Sequence, residues 1–332
     1  MKNYDYIIIG AGLAGTTLGL ELLKQNKRVL IIEKQDIKKR EKLCGGLLTK
    51  KAYKLLSSII DIDEINITKY NNPIFHNGDK SFSLNLEIFT LNRVDLDNYL
   101  FNLYLKKGGK IITGATFSSI DIFKNVITVE KREYSYKYLI GADGINSTLR
   151  EFVTHRQQRK HLALEVKDVP RKDIELYFMK DFKGYAWIIP NYKYSMIGIG
   201  EIKKGEKSIT YVFDEYLKQL GIKDKDIRGA FLPSGDDFFF NYQNIFFIGD
   251  SAGLASPLTR EGIYYALLSA KILSENFNKN YQRKMRKYLV NLYISKFYGL
   301  FVYSPFWRNL VFNYHNFFLF RFALNIFFKI VL

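Results

Sequence analysis

The segment Tyr6-Ile-Ile-Ile-Gly10-Ala-Gly12-Leu-Ala-Gly15 constrains this chain more than any other. A short apolar run leads into three glycines at fixed spacing, then a helix of apolar period reaching about Gln25. A second apolar run, Val29–Ile32, follows and is closed by Glu33. Strand, glycine-rich turn, helix, strand and acid in that order make a βαβ unit that binds a dinucleotide. Gly10 permits the tight turn, Gly12 lets backbone approach a pyrophosphate, and Gly15 lets helix and strand pack closely. The helix that starts there offers free N–H groups and the positive end of its dipole to the phosphates. Glu33, eighteen residues beyond Gly15, is placed to accept hydrogen bonds from a ribose diol. Its charge would repel a 2′-phosphate, which favours FAD or NAD over NADP.

Composition removes other classes. The 332 residues exceed one typical domain, and 47% apolar with 25% charged residues excludes wholesale disorder. A single cysteine rules out a disulfide scaffold, a CxxC pair and cysteine-ligated metal. His76, His155, His161 and His315 are too scattered for a local metal cluster, so no metal is expected. The opening MKNYDYIIIGAG reads as a strand rather than a secretory signal, and a cytoplasmic address is expected.

The chain carries a net charge of +17, spread unevenly. From Asn276 to Leu332 there are nine Lys/Arg, no Asp or Glu, and eighteen aromatics. The longest uncharged stretch there, Asn309–Phe320, has twelve residues, short of the ~18 a spanning helix needs. Cations among rings suit either a helical tail lying on an anionic membrane, at its cytoplasmic face, or a cap packed on the fold. No nucleic-acid-binding module is present, and no nucleic-acid partner is expected.

Along the rest of the chain, residues 65–90 read as strands and loops, and Asn92–Lys107 as a helix ended by Gly108-Gly109. Residues 161–235 alternate as a sheet would, Asn244–Ile248 is a strand and Gly262–Phe277 a helix. Two further strands each run into a turn: Gly141-Ala-Asp143-Gly144 and Gly249-Asp250-Ser251-Ala-Gly253. The second also satisfies G-x-S-x-G, the nucleophile elbow of a hydrolase. That reading lacks a partner set, since only Glu261, Glu275 and His315 follow Ser251, and it leaves GAGLAG and Glu33 unexplained.

With the three turns together, the chain resembles the FAD-dependent oxidoreductases that include aromatic hydroxylases and geranylgeranyl reductases. Leu43-Cys44-Gly45-Gly46, Tyr185-Ala-Trp187-Ile-Ile-Pro190 and Ser256-Pro-Leu-Thr-Arg260-Glu-Gly262-Ile263 narrow the resemblance to the geranylgeranyl reductase family over Tyr6 to about Phe277. The resemblance implies FAD contacts at Ala14, Gly15, Glu33, Arg93 and Asp250, the last on the ribityl chain. It implies an adenine contact through the backbone of Phe117. Asp143 and Gly144, with Arg150, match the family's DG turn. Cys44, Gly45, Gly262 and Ile263 match segments passing beside the isoalloxazine. Gly46, Tyr185, Trp187, Pro190 and Arg260 fall along the implied lipid pocket, with Cys44, Tyr185 and Trp187 the implied catalytic positions. Ile189 stands where members commonly carry Phe, and Arg260 where Gly is usual; the chain is also shorter than typical members.

The expected fold is α/β: a GxGxxG FAD domain from residues 1–64, 91–160 and 236–280, a mixed-sheet substrate domain from 65–90 and 161–235, and a helical tail over 281–332. The expected activity is FAD-dependent reduction of C=C bonds in a prenyl or related lipid. A flavin monooxygenase of an apolar or aromatic substrate and a membrane-associated flavin-binding protein without turnover are the alternatives. No second GxGxxG is present, so the electron donor is NAD(P)H bound transiently or a small redox protein.

Overall fold

The computed structural model describes residues 2–37, 41–179, 182–202, 207–223, 226–277 and 280–314. The chain opens with β1 (Lys2–Ile9), α1 (Leu13–Lys24) and β2 (Val29–Glu33), and every residue of β2 is buried. Then come β3 (Leu47–Thr49), α2 (Lys50–Ser57), β4 (Ile67–Asn71), β5 (Ile74–Asn77), β6 (Lys80–Ser83) and β7 (Glu87–Leu91). α3 (Arg93–Lys106) begins where the Asn92 carboxamide accepts from the backbone N–H of Val94 at 3.0 Å and Asp95 at 3.3 Å, a side-chain cap that fixes its start. β8 (Lys110–Thr113), β9 (Phe117–Asp121), β10 (Val126–Val129), β11 (Arg132–Gly141) and α4 (Thr148–Thr154) complete the first half.

The second half holds β12 (Lys160–Asp168), β13 (Glu175–Phe178), β14 (Gly184–Pro190), β15 (Ser195–Glu201), α5 (Ile209–Gln219) and β16 (Arg228–Pro233). β17 (Asn241–Tyr242), β18 (Ile245–Phe247), α6 (Ile263–Ser274), α7 (Asn280–Val302) and α8 (Pro305–Tyr314) end the described chain. α5 falls inside the stretch expected to be sheet throughout. Its buried residues Ile209, Val212, Phe213, Tyr216 and Leu217 have helical spacing, and they close one face of the second sheet against Leu164, Val166, Ile197 and Ile199.

One sheet runs β17-β18-β11-β1-β2-β8, with the β9–β10 hairpin attached to β11. β18, β11, β1, β2 and β8 are mutually parallel, as a doubly wound dinucleotide fold requires. A second sheet runs β16-β12-β15-β14-β13-β5-β6 and a third, three-stranded, β3-β7-β4. The expected α/β class with an added mixed sheet is therefore the observed one. β5 and β6 join the second sheet, whereas β4 and β7, from the same 65–90 stretch, pair with β3.

α7 docks through Tyr281, Met285, Leu289, Leu292 and Ser295, with the Tyr281 hydroxyl donating to the Phe247 carbonyl at 2.9 Å. The opposite side of α7 leaves Val290, Tyr293, Phe297 and Leu300 more than half exposed. No described helix is long and apolar enough to cross a membrane. Residues 315–332 of the expected tail lie outside the described residues.

Candidate functional site

A cleft of about 390 Å³ opens along the C-terminal ends of the parallel strands, where Ile9, Ile32, Ala142 and Ile248 reach its wall. Such an edge is where ligands bind in open α/β sheets. At one end sits Glu33, buried, its two oxygens accepting from the N–H of Ala11 at 2.7 Å and of Gln35 at 2.8 Å. The carboxylate thereby holds the glycine turn to the end of β2. Ala115 and Thr116, just before β9, and Phe117 at its start also line the cleft.

The turn between β1 and α1 is dictated by contact. Gly10 has φ +104°, and a Cβ there would stand 2.4 Å from the Ala142 carbonyl oxygen. At Gly15 a Cβ would come within 2.0 Å of the Gly10 carbonyl oxygen, so this glycine serves helix–strand packing and lies behind the cleft. Gly12 and Ala14 are on the wall. The helix N-terminus at Gly12 has no side-chain cap and no acid in its first turn, an arrangement that favours an anion there.

The other end is built from Asp250, Gly262, Ile263, Cys44, Arg93 and Arg260. A Cβ on Gly262 would lie 3.2 Å from Asp250 Oδ1, so the carboxylate rests on the start of α6, a second helix N-terminus without a side-chain cap. Arg93 donates to Cys44 Sγ at 3.5 Å and to Asp97 Oδ1 at 3.2 Å. Gly46 N–H also donates to Cys44 Sγ, at 3.4 Å. Arg260 has φ +57°, the left-handed region, which is why glycine suits this position. Its guanidinium is buried and donates to the carbonyls of Pro233 at 3.2 Å and Ser234 at 3.0 Å; burial lowers its pKa.

Asp143 and Gly144 also line the cleft. Burial raises the Asp143 pKa, while the N–H of Leu149 at 3.3 Å and other donors at the start of α4 oppose that. Arg150, on α4, joins this turn to the next: it donates to the Ser251 carbonyl at 3.1 Å, the Asp237 carbonyl at 3.0 Å and Asp237 Oδ1 at 2.8 Å. Gln158 donates to the Asp250 carbonyl at 2.8 Å. Asp237 and Gln158 were not among the expected site residues. Asp237 anchors Arg150 and Gln158 holds the Asp250 carbonyl, each across a long sequence separation, and no local motif marks them.

Tyr185, Trp187, Pro190, Gly45 and Gly46 lie off the wall of this cleft. Tyr185 and Trp187 share a face of β14, with ring centroids 5.5 Å apart, in a cluster with Ala163, Phe178, Leu232 and Tyr303. The Tyr185 hydroxyl donates to the Thr259 carbonyl at 2.7 Å, which sets the cluster against Arg260. Gly45 packs on Ile189, where a Cβ would stand 2.5 Å from Cδ1. Gly46, at φ +70°, accepts from Leu91 N–H at 3.1 Å, and the Pro190 carbonyl accepts from the Thr90 hydroxyl at 2.7 Å. These glycines and the proline hold the third sheet to β14.

An elongated dinucleotide fits this donor set. Uncapped helix N-termini lie along the cleft and at its far end, and carboxylates stand at both ends. Arg93 Nε and Asp143 Oδ1, on residues lining the wall, are buried with no protein partner.

Residues 8–37 match the family model for an NAD(P)-binding Rossmann-like domain. The protein Mbar_A1602 of Methanosarcina barkeri is 30% identical across 95% of this chain and 88% of its own length. A digeranylgeranylglycerophospholipid reductase of Methanococcus vannielii is 25% identical across 87% of this chain and 85% of its own. Among solved structures, a geranylgeranyl bacteriochlorophyll reductase-like protein of Thermoplasma acidophilum superposes with a TM-score of 0.73 at 18% identity, covering 89% of this chain and 87% of its own.

Proposed function

The chain belongs to the geranylgeranyl reductase family of FAD-dependent oxidoreductases, and from that membership we propose that it reduces C=C bonds of a prenyl or related lipid. The reading is supported by the aromatic cluster of Tyr185, Trp187, Phe178 and Tyr303, packed off the cleft and held by the Tyr185 hydroxyl to the Thr259 carbonyl, next to Arg260 on the cleft wall. In this reading the cluster parts to take a long hydrocarbon and keeps water out, while a polar substrate would leave its own groups unpaired there.

In this reading Glu33 receives the adenosine ribose, with Phe117 beside the adenine. Gly10, Gly12, Ala14 and Gly15 shape the pyrophosphate turn, Arg93 and Asp143 lie along the cleft, and Asp250 takes the ribityl hydroxyls. Cys44, Gly45, Gly262 and Ile263 flank the ring, and Gly46, Pro190 and Arg260 close the substrate side. When bound, the flavin would supply the hydride, a proton would complete the addition across the alkene, and the protein would hold the alkene against the ring in a dry site. Reducing equivalents come from NAD(P)H in transient contact or from a small redox protein. Residues 1–64, 91–160 and 236–280 act as the flavin-binding part, and 65–90 with 161–235 as the substrate part. The exposed face of α7, with its cations and rings, rests on an anionic membrane from which the lipid is drawn.

The test is to reduce the FAD-loaded protein chemically, offer geranylgeranyl lipids, and weigh the product. A gain of two hydrogens supports the reading. A gain of one oxygen with oxygen uptake makes the protein a monooxygenase, and unchanged lipid across the series refutes turnover.

A further inference from the structure

One buried carboxyl group takes no part in the cleft. Glu165 lies on β12 and is 6% exposed. The strand registers pair it with Gly198 of β15, and pair Gly198 in turn with Trp187 of β14. Glu165, Gly198 and Trp187 therefore form one row across three strands, all on the face that carries Tyr185 and Ala163.

Gly198 is the slot in that row. A Cβ there would stand 2.5 Å from Trp187 Cε2 and Cζ2 and 2.7 Å from Nε1, so the indole lies flat over the glycine with its N–H edge beside it. That N–H is buried and completes no hydrogen bond within 3.5 Å. The carboxyl next in the row is the acceptor within its reach, since the Trp187 N–H already favours the charged form of Glu165. A buried indole N–H without an acceptor is costly, and a carboxylate is the strongest acceptor a side chain offers.

We propose that Glu165 is a positioning residue: its carboxyl, reaching past Gly198, takes the indole N–H of Trp187 and fixes that ring at the wall of the substrate cavity. This rests on the reading of Trp187 as cavity wall. The device is sensitive to pH in a useful range. Burial pushes the Glu165 pKa up to about 7, against smaller opposing effects from Lys42 and Trp187. Tyr194, from the β14–β15 turn, also feels the Glu165 charge. Arg228, opposite on β16, is engaged by Asp226 and Glu41. His161, four residues earlier on β12, is pushed down to about 4 by burial and by Arg260, so its titration is well separated. Above neutrality the carboxylate grips the indole; below it, the neutral acid holds it weakly.

The chain has two tryptophans, so Trp307→Phe leaves Trp187 as the sole indole. In that background, near-ultraviolet circular dichroism and indole emission of the FAD-loaded protein are recorded from pH 5 to 9. A transition near pH 7 is expected, and Glu165→Gln, a permanent neutral acceptor of the same shape, should abolish it while retaining FAD. Glu165→Leu removes the acceptor and should raise KM for a geranylgeranyl lipid about fivefold, the worth of one hydrogen bond, with Glu165→Gln restoring most of it. A transition that persists in Glu165→Gln, or no transition in the parent, overturns the proposal and leaves the reductase reading standing. A transition lost in Glu165→Gln in a protein that reduces no prenyl lipid supports the positioning and refutes the reductase reading instead.

Discussion

Replacing Arg150 by Met tests whether the two later turns form one unit. The side chain is 1% exposed and makes three hydrogen bonds, to the Ser251 carbonyl and to the carbonyl and carboxylate of Asp237. Methionine fills much of the volume but leaves those acceptors without their donor. Breaking a buried ion pair by removing one partner costs about 3–5 kcal/mol. Asp237 keeps Arg156 at 2.7 Å and the N–H of Arg159 at 3.0 Å, so the lower end, about 3 kcal/mol, applies here. Because the Ser251 carbonyl sits in the turn that carries Asp250, part of that loss should appear as weaker FAD retention. The assay is urea unfolding of the FAD-loaded protein, followed by tryptophan emission for the fold and flavin emission for release. Flavin should leave at lower urea than the fold is lost. Arg150→Lys retains the charge but cannot span the three acceptors, and should fall between parent and Met. A loss under about 1 kcal/mol, with flavin release unchanged, would refute the claim that Arg150 ties the turns together.

Gly12→Ala and Gly15→Ala should part company. A Cβ on Gly12 meets no protein atom within 4 Å, so that variant should melt with the parent yet bind FAD more weakly, whereas Gly15→Ala collides with the Gly10 carbonyl and should lose stability outright; equal melting of the two would contradict the turn geometry. Glu165 has a folded pKa near 7 against an ordinary 4.5, so its contribution to stability is full below pH 4.5 and is lost as pH rises through 7, by about 3 kcal/mol. Glu165→Gln should flatten that fall, and denaturant midpoints at pH 5 and 8 in both proteins check it. Replacing Tyr293, Phe297 and Leu300 by Ser should release the protein from anionic liposomes without shifting its melting, since all three are more than half exposed. Undiminished co-sedimentation would locate the contact elsewhere.

What was legible in the sequence was what local physics dictates. GAGLAG followed by an apolar helix and Glu33 leaves little choice of fold, and the structure puts Gly10, Gly12, Ala14 and Glu33 on one wall. The apolar spacing of Leu96, Leu100, Leu103 and Tyr104, closed by Gly108-Gly109, announced α3. The helix α5 was also written in the spacing of Ile209, Val212, Phe213, Tyr216 and Leu217, but alternation on either side of it masked the change of period. Asp237 and Gln158 were out of reach for a different reason. Each meets its partner across 80 residues or more, and nothing in FLPSGDDFFF shows which aspartate will meet Arg150. The row from Glu165 to Trp187 depends on the registers of three strands, which residue types alone do not set.

The arginine at a left-handed position has a mechanical meaning. Arg260 precedes α6, which packs on α1 beside the first sheet, yet its guanidinium holds the Pro233 and Ser234 carbonyls at the end of β16 in the second. One residue earlier, the Thr259 carbonyl is held by Tyr185 of β14. The loop is thus sewn to the second sheet at two strands. Swinging the sheets apart at the Asp250 end would break these three hydrogen bonds together and strand a buried guanidinium. A glycine would ease the backbone and remove two of the three stitches. With arginine there, the loop before α6 is riveted to the second sheet beside Asp250.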